Sequence, residues 1–329
     1  MAAFAKTGAH EGPGRIVAAD AEGIRRAAEL LRRDAVVAFP TETVYGLGAN
    51  ALSAAAVGEI YRLKRRPAWN PLIAHVPGPD EARALVDEWP ATAQDLADRF
   101  WPGPLTIVLR RSPAVPAAAA ATTELIAIRV PAHPVALELL RACGLPLAAP
   151  SANRSESVSP TTAQHVLRSL PDVPLVLDGG SCRLGIESTI VDLSRPRPRL
   201  LRPGALPLRA IRAVVGEVDL PPFDLDGAVS APAPGMARRH YAPRARLLIQ
   251  DELDVAAAAR PVGVLAHRTP APVADHVELL PNDAAGYAAD LYAALHRLDD
   301  AAVATILVER PPPGEDWIAV HDRLKRAAA

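Results

Sequence analysis

Cysteine is nearly absent from this chain. Only Cys143 and Cys182 occur among 329 residues, which excludes a disulfide framework and offers no paired spacing for a zinc site. Aromatic residues make up 4%, so any core is aliphatic, and the 50% hydrophobic content is ample to build one. An excess of charge is missing too. With a formal net charge of -1 there is no general field for polyanions, and any nucleotide contact must come from local clusters. No segment reaches the ~18 apolar residues of a membrane span. The nearest, "AVPAAAAATT" at 114–123, is alanine broken by proline, and the opening "MAAFAKTGAHEGPGRIV" lacks the apolar stretch of a signal peptide. A soluble cytoplasmic protein in a reducing compartment is expected.

Familiar catalytic signatures are missing as well. There is no G-x-x-x-x-G-K-[ST], no G-x-G-x-x-G, no H-E-x-x-H and no G-x-S-x-G. No serine has a nucleophile's local context. Lysine is scarce, confined to Lys6, Lys64 and Lys325, so arginine supplies nearly all generic positive charge.

At this length two domains are the default. Asp20 caps a helix with Ile24, Ala28 and Leu31 on one face, and Ser53 caps another ended by Pro67. Buried strands are expected at 35–39, 72–76, 105–109, 125–130, 145–150, 174–180 and 188–193, with helices at 80–86, 91–100, 133–142 and 161–169. This mixture defines an α/β domain over 1–217. Residues 218–243, rich in proline and glycine, read as a long linker. Beyond it, 244–329 alternates as a small doubly wound α/β domain: strand 245–250, helix 251–259, strands 261–266 and 276–280, helix 283–298, strand 303–308 and helix 316–326.

Six stretches concentrate chemistry. "FPTETVYGL" at 39–47 reads as a strand-to-helix loop crowded with hydroxyls, of the kind that binds small polar ligands at strand ends. Individually, Thr41 serves as a cap or turn residue and Tyr45 packs; together the run points to function. "LKRRPAWNPL" at 63–72 places Lys64, Arg65 and Arg66 at a helix C-terminus, where cations also suit the dipole. A lysine retained in so arginine-rich a chain suggests a compact charge for phosphate beside a bidentate arginine. Arg129 in the apolar strand "IAIRVP" must be paired, either with a buried carboxylate or with a ligand carboxylate. "APSANRSESVSPT" at 149–161 carries more hydroxyls than one helix cap requires, with Ser159 before Pro160 placed as that cap. "GIESTIVDLSRPRPRLLRPG" at 185–204 reads as a hairpin with a cationic edge, and "PGMARRHYAP" at 234–243 sets His240 and Tyr241 in the linker. Cations, hydroxyls and a carboxylate binder without a covalent nucleophile suit catalysis by positioning and charge stabilisation.

In this order, "PTETVYGLGANA", "KRRPAWNPLIAHV", "WPGPLTIVL", "IAIRVPAHP", "APSANRSESVSPTTA", "GIESTIVD", "LRPGAL" and "PGMARRHYAP" resemble the L-threonylcarbamoyladenylate synthases, the YrdC-type enzymes. The likeness covers roughly 15–243, and the remainder is similar by length and strand-helix pattern to the two-domain form. It implies a twisted mixed sheet with flanking helices, joined to a small Rossmann-like domain. It implies a nucleotidyltransferase that converts L-threonine, bicarbonate and ATP, with Mg²⁺, to threonylcarbamoyl-AMP and pyrophosphate. The product would pass to a transferase that modifies tRNA adenosine, with possible tRNA contact and no membrane partner.

By position, the resemblance assigns threonine to Thr43, His75, Arg129, Ala149 and Ser188. It assigns ATP to Lys64, Arg66, Asn70, Leu125, Ser151, Asn153, Ser159, Arg202 and Tyr241, with Lys64, Arg66 and Arg202 as the catalytic cations. It names no metal ligand. The linker would act as a lid that keeps water from a labile mixed anhydride. Two positions depart from the family pattern: Glu156, where glycine is common, and Ala233 in "APAPGM". The alternatives are a double-stranded RNA binder of the same fold, the YrdC-like module of hydrogenase-maturation carbamoyltransferases, and a non-enzymatic regulatory binder. The net charge opposes the first, and the lack of zinc-finger cysteines and of an acylphosphatase-like segment opposes the second.

Overall fold

The computed structural model describes residues 15–121, 123–220 and 239–329. The chain opens with β1 (Arg15–Ala18), α1 (Ala21–Arg32), β2 (Val37–Phe39), β3 (Gly46–Asn50), α2 (Ala54–Lys64), β4 (Ile73–His75) and α3 (Pro79–Arg83). It continues through α4 (Ala91–Phe100), β5 (Leu105–Arg110), β6 (Leu125–Arg129), α5 (Pro134–Cys143), β7 (Leu147–Ala148) and α6 (Ala163–Ser169). Then come β8 (Leu175–Asp178), β9 (Thr189–Asp192), β10 (Arg199–Arg202) and α7 (Leu208–Val215). A second part holds β11 (Arg246–Gln250), β12 (Val262–Ala266), β13 (His276–Leu279), α8 (Ala284–Asp300), β14 (Thr305–Glu309) and α9 (Ile318–Ala327).

Ten strands form one mixed sheet in the order β1-β8-β2-β3-β7-β4-β6-β5-β9-β10. The other four form a parallel sheet, β11-β14-β12-β13. The expected α/β class with a twisted mixed sheet and a second, smaller sheet is what the chain adopts. The caps read from sequence hold: Asp20 Oδ1 accepts from Gly23 N at 2.8 Å, and Ser53 Oγ accepts from Ala56 N at 3.3 Å.

The two faces of the large sheet differ. Leu72, Ala74, Val76, Ile126, Ile128 and Val130 point to one face, where α2, α4, α6 and α7 bury them with Ile60, Leu96, Val166 and Ile211. On the other, α1 and α5 cover Val37, Phe39, Leu147 and Ala149. Farther along that same face, Ile73 and Ala127 pack with Val108, Ile190 and Leu201. Val44, Val158, Ile186 and Tyr241 join the apolar core of α8 and α9, so the two parts share a continuous seam.

Three expectations are corrected. "FPTETVYGL" is not a strand-to-helix connection: β2 turns back antiparallel into β3, and only then does α2 begin. Two glycines disguised β3, yet it is central enough to pair with β7 as well. No helix forms over 251–259. There Asp254 N donates to Gln250 Oε1 at 3.1 Å and Asp254 Oδ1 accepts from Ala257 N at 3.1 Å, local turns that compete with a helix near the lower limit of length. Leu253, Val255 and Ala258 instead pack as a loop on the sheet face opposite α8 and α9. Ser159 does not cap a helix: Thr162 does, its Oγ1 accepting from His165 N at 3.2 Å. Of the expected linker at 218–243, residues 221–238, with Ala233, lie outside the described residues, as does the start of the chain through 14.

Candidate active site

Period two along a strand puts Ile73 and His75 on the same face. Parallel pairing sets His75 opposite Arg129, so an imidazole and a guanidinium share one patch of sheet. This patch lies between the stretch covered by α1 and α5 and the cluster around Val108, and a pocket occupies it. Its lining includes Thr41, Thr43, Ile73, His75, Arg129, Ala149, Ser151 and Ser188, together with Arg66, Glu187, Arg202, His240 and Tyr241. The space amounts to about 500 Å³ with its open mouth. The pocket lies on a sheet face at strand ends: His75, Arg129 and Arg202 are the last residues of β4, β6 and β10, and Thr41 and Ala149 follow β2 and β7.

One wall is built around Arg129. Its Nε donates to Gly103 O at 3.2 Å, its Nη1 to Thr43 Oγ1 at 2.9 Å, and its Nη2 lies 2.7 Å from Glu42 Oε1. The buried carboxylate that the sequence left open as one possible partner is therefore Glu42. Burial opposes ionisation of Glu42, but Arg129 holds its carboxyl below the usual range. Thr41 behaves as a turn residue, its Oγ1 accepting from Thr43 N and Val44 N at 3.2 Å each, and still lines the pocket. Tyr45 is structural: its hydroxyl donates to Gly180 O at 2.8 Å. Burial, then Arg129, presses His75 down to about 3, so its ring is neutral at working pH.

The other wall carries the cations. Residue Arg65 ends α2 in the left-handed region, φ 50°, and this turns Arg66 inward. Its guanidinium donates through Nε to Asn70 O at 3.1 Å and through Nη2 to Pro71 O at 2.8 Å. The β9–β10 hairpin lays Arg202 against Ser188, with Nε to Ser188 O and Nη2 to Ser188 Oγ both at 3.1 Å. Burial lowers both arginines, Arg66 to about 10. Lys64 is fully buried one layer out, its Nζ donating to Ser151 O at 2.5 Å and to Asn153 O. Its ammonium is pushed well below the ordinary lysine range by burial and by Arg66.

Of the expected site residues, Thr43, His75, Arg129, Ala149, Ser188, Arg66, Ser151, Arg202 and Tyr241 line this cavity. Lys64, Asn70, Asn153 and Ser159 stand behind it, each bonded to a lining residue or to the loop that carries one. Leu125 is not part of the lining; it sits at the start of β6, half-buried against the Ile73 and Val108 cluster. Sequence reasoning missed Glu42, Glu187 and Arg323, and it singled out His240 without assigning it to the site. The first two lie inside quoted motifs, "PTET" and "GIES", where buried carboxylates between hydroxyls were the available signal. Glu156 takes φ 72°, a conformation that suits glycine, and its exposed side chain leaves the cavity clear.

One cavity that sets an arginine-carboxylate wall against a cationic wall, on the face of a mixed sheet, defines an α/β protein built to seat a small carboxylate beside a polyanion. The chain belongs to the Sua5/YciO/YrdC family: residues 29–204 match the family model described as telomere recombination, and 207–329 match that of the threonylcarbamoyl-AMP synthase C-terminal domain. It is 41% identical over 320 residues to the threonylcarbamoyl-AMP synthase of Pyrococcus abyssi, covering 93% of this chain and 94% of that one. Identity to the Bacillus subtilis enzyme of that name is also 41%, with coverage of 93% and 92%. The solved structure of P. abyssi Sua5 complexed with L-threonine matches with a TM-score of 0.87 at 41% identity, over 93% of this chain and 94% of that one. Escherichia coli YciO shares the fold alone, at TM-score 0.51 and 21% identity over 58% of this chain and 96% of its own.

Proposed function

We propose that this protein makes L-threonylcarbamoyl-AMP and pyrophosphate from L-threonine, bicarbonate and ATP. The observation that carries the reading is that Arg129 and His75 share one cavity with Arg66 and Arg202. The names of its relatives, and the threonine in a neighbour at 41% identity, support the same conclusion.

Arg129 hydrogen-bonds Gly103 and Thr43 and ion-pairs with Glu42, while its buried Nη2 makes no hydrogen bond, so donors remain for an incoming carboxylate. Threonine seats there, against Thr43, neutral His75, Ala149 and Ser188. Its amine combines with bicarbonate to give a carbamate and water. A carbamate oxygen then attacks the α-phosphorus of ATP, and pyrophosphate leaves with the bonding electrons. Negative charge grows on the phosphates during that step, and Arg66 and Arg202 oppose it from fixed positions at no cost in reorganisation. Lys64 holds the Ser151–Asn153 loop and supplies the third cation; Asn70 keeps Arg66 aimed, and Ser159 and Tyr241 complete the nucleotide side.

Among the described residues no cluster of three His, Cys, Asp or Glu could hold a metal ion. Glu42 and Glu187 are each committed to an arginine. Mg²⁺ would come with ATP, in keeping with its preference for retained water and phosphate ligands, and would supply neutralisation of phosphate charge. The product goes to a transferase acting on tRNA, in the cytoplasm. Among the described residues no helix is long and apolar enough to cross a membrane.

The test is pyrophosphate release by the purified full-length chain. Release should require threonine, bicarbonate and ATP together. Release without threonine, or none with all three, overturns the proposal.

A further inference from the structure

The two sheets meet at a buried carboxylate. Glu187 precedes Ser188 in the first part and lines the pocket. Its Oε1 accepts from Ser159 Oγ at 2.6 Å, and its Oε2 accepts from Tyr292 OH at 3.0 Å and from Arg323 Nε at 2.7 Å. Tyr292 lies on α8 and Arg323 on α9. The Arg323 side chain is 0% exposed. Its Nη1 donates to Asp322 Oδ2 at 2.6 Å, and its guanidinium carbon stands 4.9 Å over the Tyr241 ring. Beside that ring, His240 N donates to Arg326 O at 3.1 Å.

An arginine withdrawn from water costs several kcal/mol before its partners offset it, and an apolar pair would hold a seam at least as well. One of the two carboxylate partners of Arg323, Asp322, is its own neighbour on α9; the other, Glu187, belongs to the first part. Among the described residues, the guanidinium's other two contacts, the Glu187 carboxylate and the Tyr241 ring, both belong to residues that line the pocket.

We infer that Arg323 is a positioning residue of the pocket: through Glu187 it fixes the segment whose next residue, Ser188, receives Arg202, and through the Tyr241 ring it fixes the aromatic wall. The second sheet thereby completes the site of the first. The inference rests on the adenylate-forming reading above.

Burial works against the charge on Glu187, yet Arg323, then Arg202 and the Ser159 hydroxyl hold its carboxyl at about 2. Around it stand Arg323 and Asp322 from α9, Tyr292 from α8, Arg202 from β10, and Tyr241 with a neutral His240. Without the Arg323 charge, burial dominates and the carboxyl pKa moves upward. Arg202 then loses its counter-charge on the acid side, and ATP binding and turnover fall there together.

The experiment compares the full-length protein with Arg323→Met, Arg323→Lys and Tyr292→Phe, by direct titration with ATP and by steady-state pyrophosphate release against pH. Arg323→Met should weaken ATP binding and raise its KM about ten-fold, the scale of losing a supporting partner, with a change of less than about two-fold in the threonine KM. Its pH profile should gain an acid limb absent from the wild type. Arg323→Lys keeps the charge but not the fork, so it should remove the limb while the ATP KM stays raised. Tyr292→Phe, which preserves shape, should show a smaller rise in the ATP KM. Should Arg323→Met fail to fold, the other two variants decide. Wild-type ATP affinity and profile in the folded variants overturn the inference and leave the seam a structural contact. Absence of threonine-dependent turnover in the wild type overturns the functional reading instead, and absence of ATP binding removes both.

Discussion

Glu42 and Arg129 face each other at 2.7 Å with side chains only 2% and 4% exposed, a buried ion pair in the wall of the cavity. Removing one partner strands the other charge away from water. Arg129→Ala should therefore cost about 3–5 kcal/mol in urea unfolding, and Glu42→Gln with Arg129→Met together should recover part of that. Folded Arg129→Ala should also need much more threonine for pyrophosphate release. Unchanged threonine dependence would leave Arg129 a purely structural partner of Glu42.

Arg66 and Arg202 are anchored mainly to carbonyls of their own neighbourhoods, Asn70, Pro71 and Ser188. We expect Arg66→Ala and Arg202→Ala to lower turnover by about 10²–10³, the usual loss for a preorganised electrostatic donor. Melting temperatures should change far less than the rates do. Turnover matching the wild type in both variants would take them out of the site.

Glu156 occupies the left-handed region while its carbonyl accepts from Ala242 N at 2.8 Å, which ties the serine-rich loop to the segment after Tyr241. A side chain in that conformation costs about 1–2 kcal/mol, against the 0.5–1 kcal/mol that glycine's freedom costs on folding (roughly). Glu156→Gly should accordingly stabilise the protein by up to about 1 kcal/mol with little effect on turnover. Denaturant titration of the pair measures it, and a destabilised glycine variant would contradict the strain argument.

Gly185 has φ +68°, and a Cβ added there would meet Ala289 O on α8 at 2.1 Å. Backbone cannot yield as a flexible side chain does. Gly185→Ala should destabilise by more than about 2 kcal/mol, from strain and overpacking together. Because Glu187 lies two residues on, the displaced loop should also weaken ATP binding, which calorimetric titration of the folded fraction will register.

Neutral histidines set the acid side of stability. His75 and His165 are held at about 3 and His296 at about 4, burial being the first cause in each. The rings of His165 and His296 stack at 3.8 Å across the seam. Histidine in the unfolded chain titrates near 6.5 (roughly), so as pH falls below that value the unfolded state takes up protons the folded state refuses. The stabilisation is complete above that point and declines toward pH 4. Glu187, at about 2, adds its own loss only below the unfolded carboxylate range. Replacing His165 and His296 by phenylalanine should flatten unfolding free energy against pH between about 6.5 and 4.5. An unaltered slope would show that other groups set it.

Reading the elements from sequence worked where one local pattern dominated. Asp20 and Ser53 announced helices by their hydroxyl or carboxylate and the apolar period behind it, and the proline-bracketed "LIAHV" announced β4. It failed where tertiary context overrode local preference. Gly46 and Gly48 look like loop but lie in β3, and at Gly48 the Phe39 ring stands 2.6 Å from where a Cβ would sit, leaving no room for a side chain. The alanines at 256–259 look helical, but the sheet face needed only a loop over it. Ser159 looked like a cap because cap and buried donor share the same chemistry; only the fold supplies Glu187 as its acceptor.

From the order of its residues alone, the protein's family, its α/β class and the segments carrying its cations and hydroxyls could be named, because these follow from local pattern and motif. Which charges neutralise each other could not. Arg129 finds Glu42, and Glu187 finds Arg323 across 136 positions of chain, by strand register and the packing of α9. Ionic pairing depends on distance in space and on burial, and neither is written in local sequence.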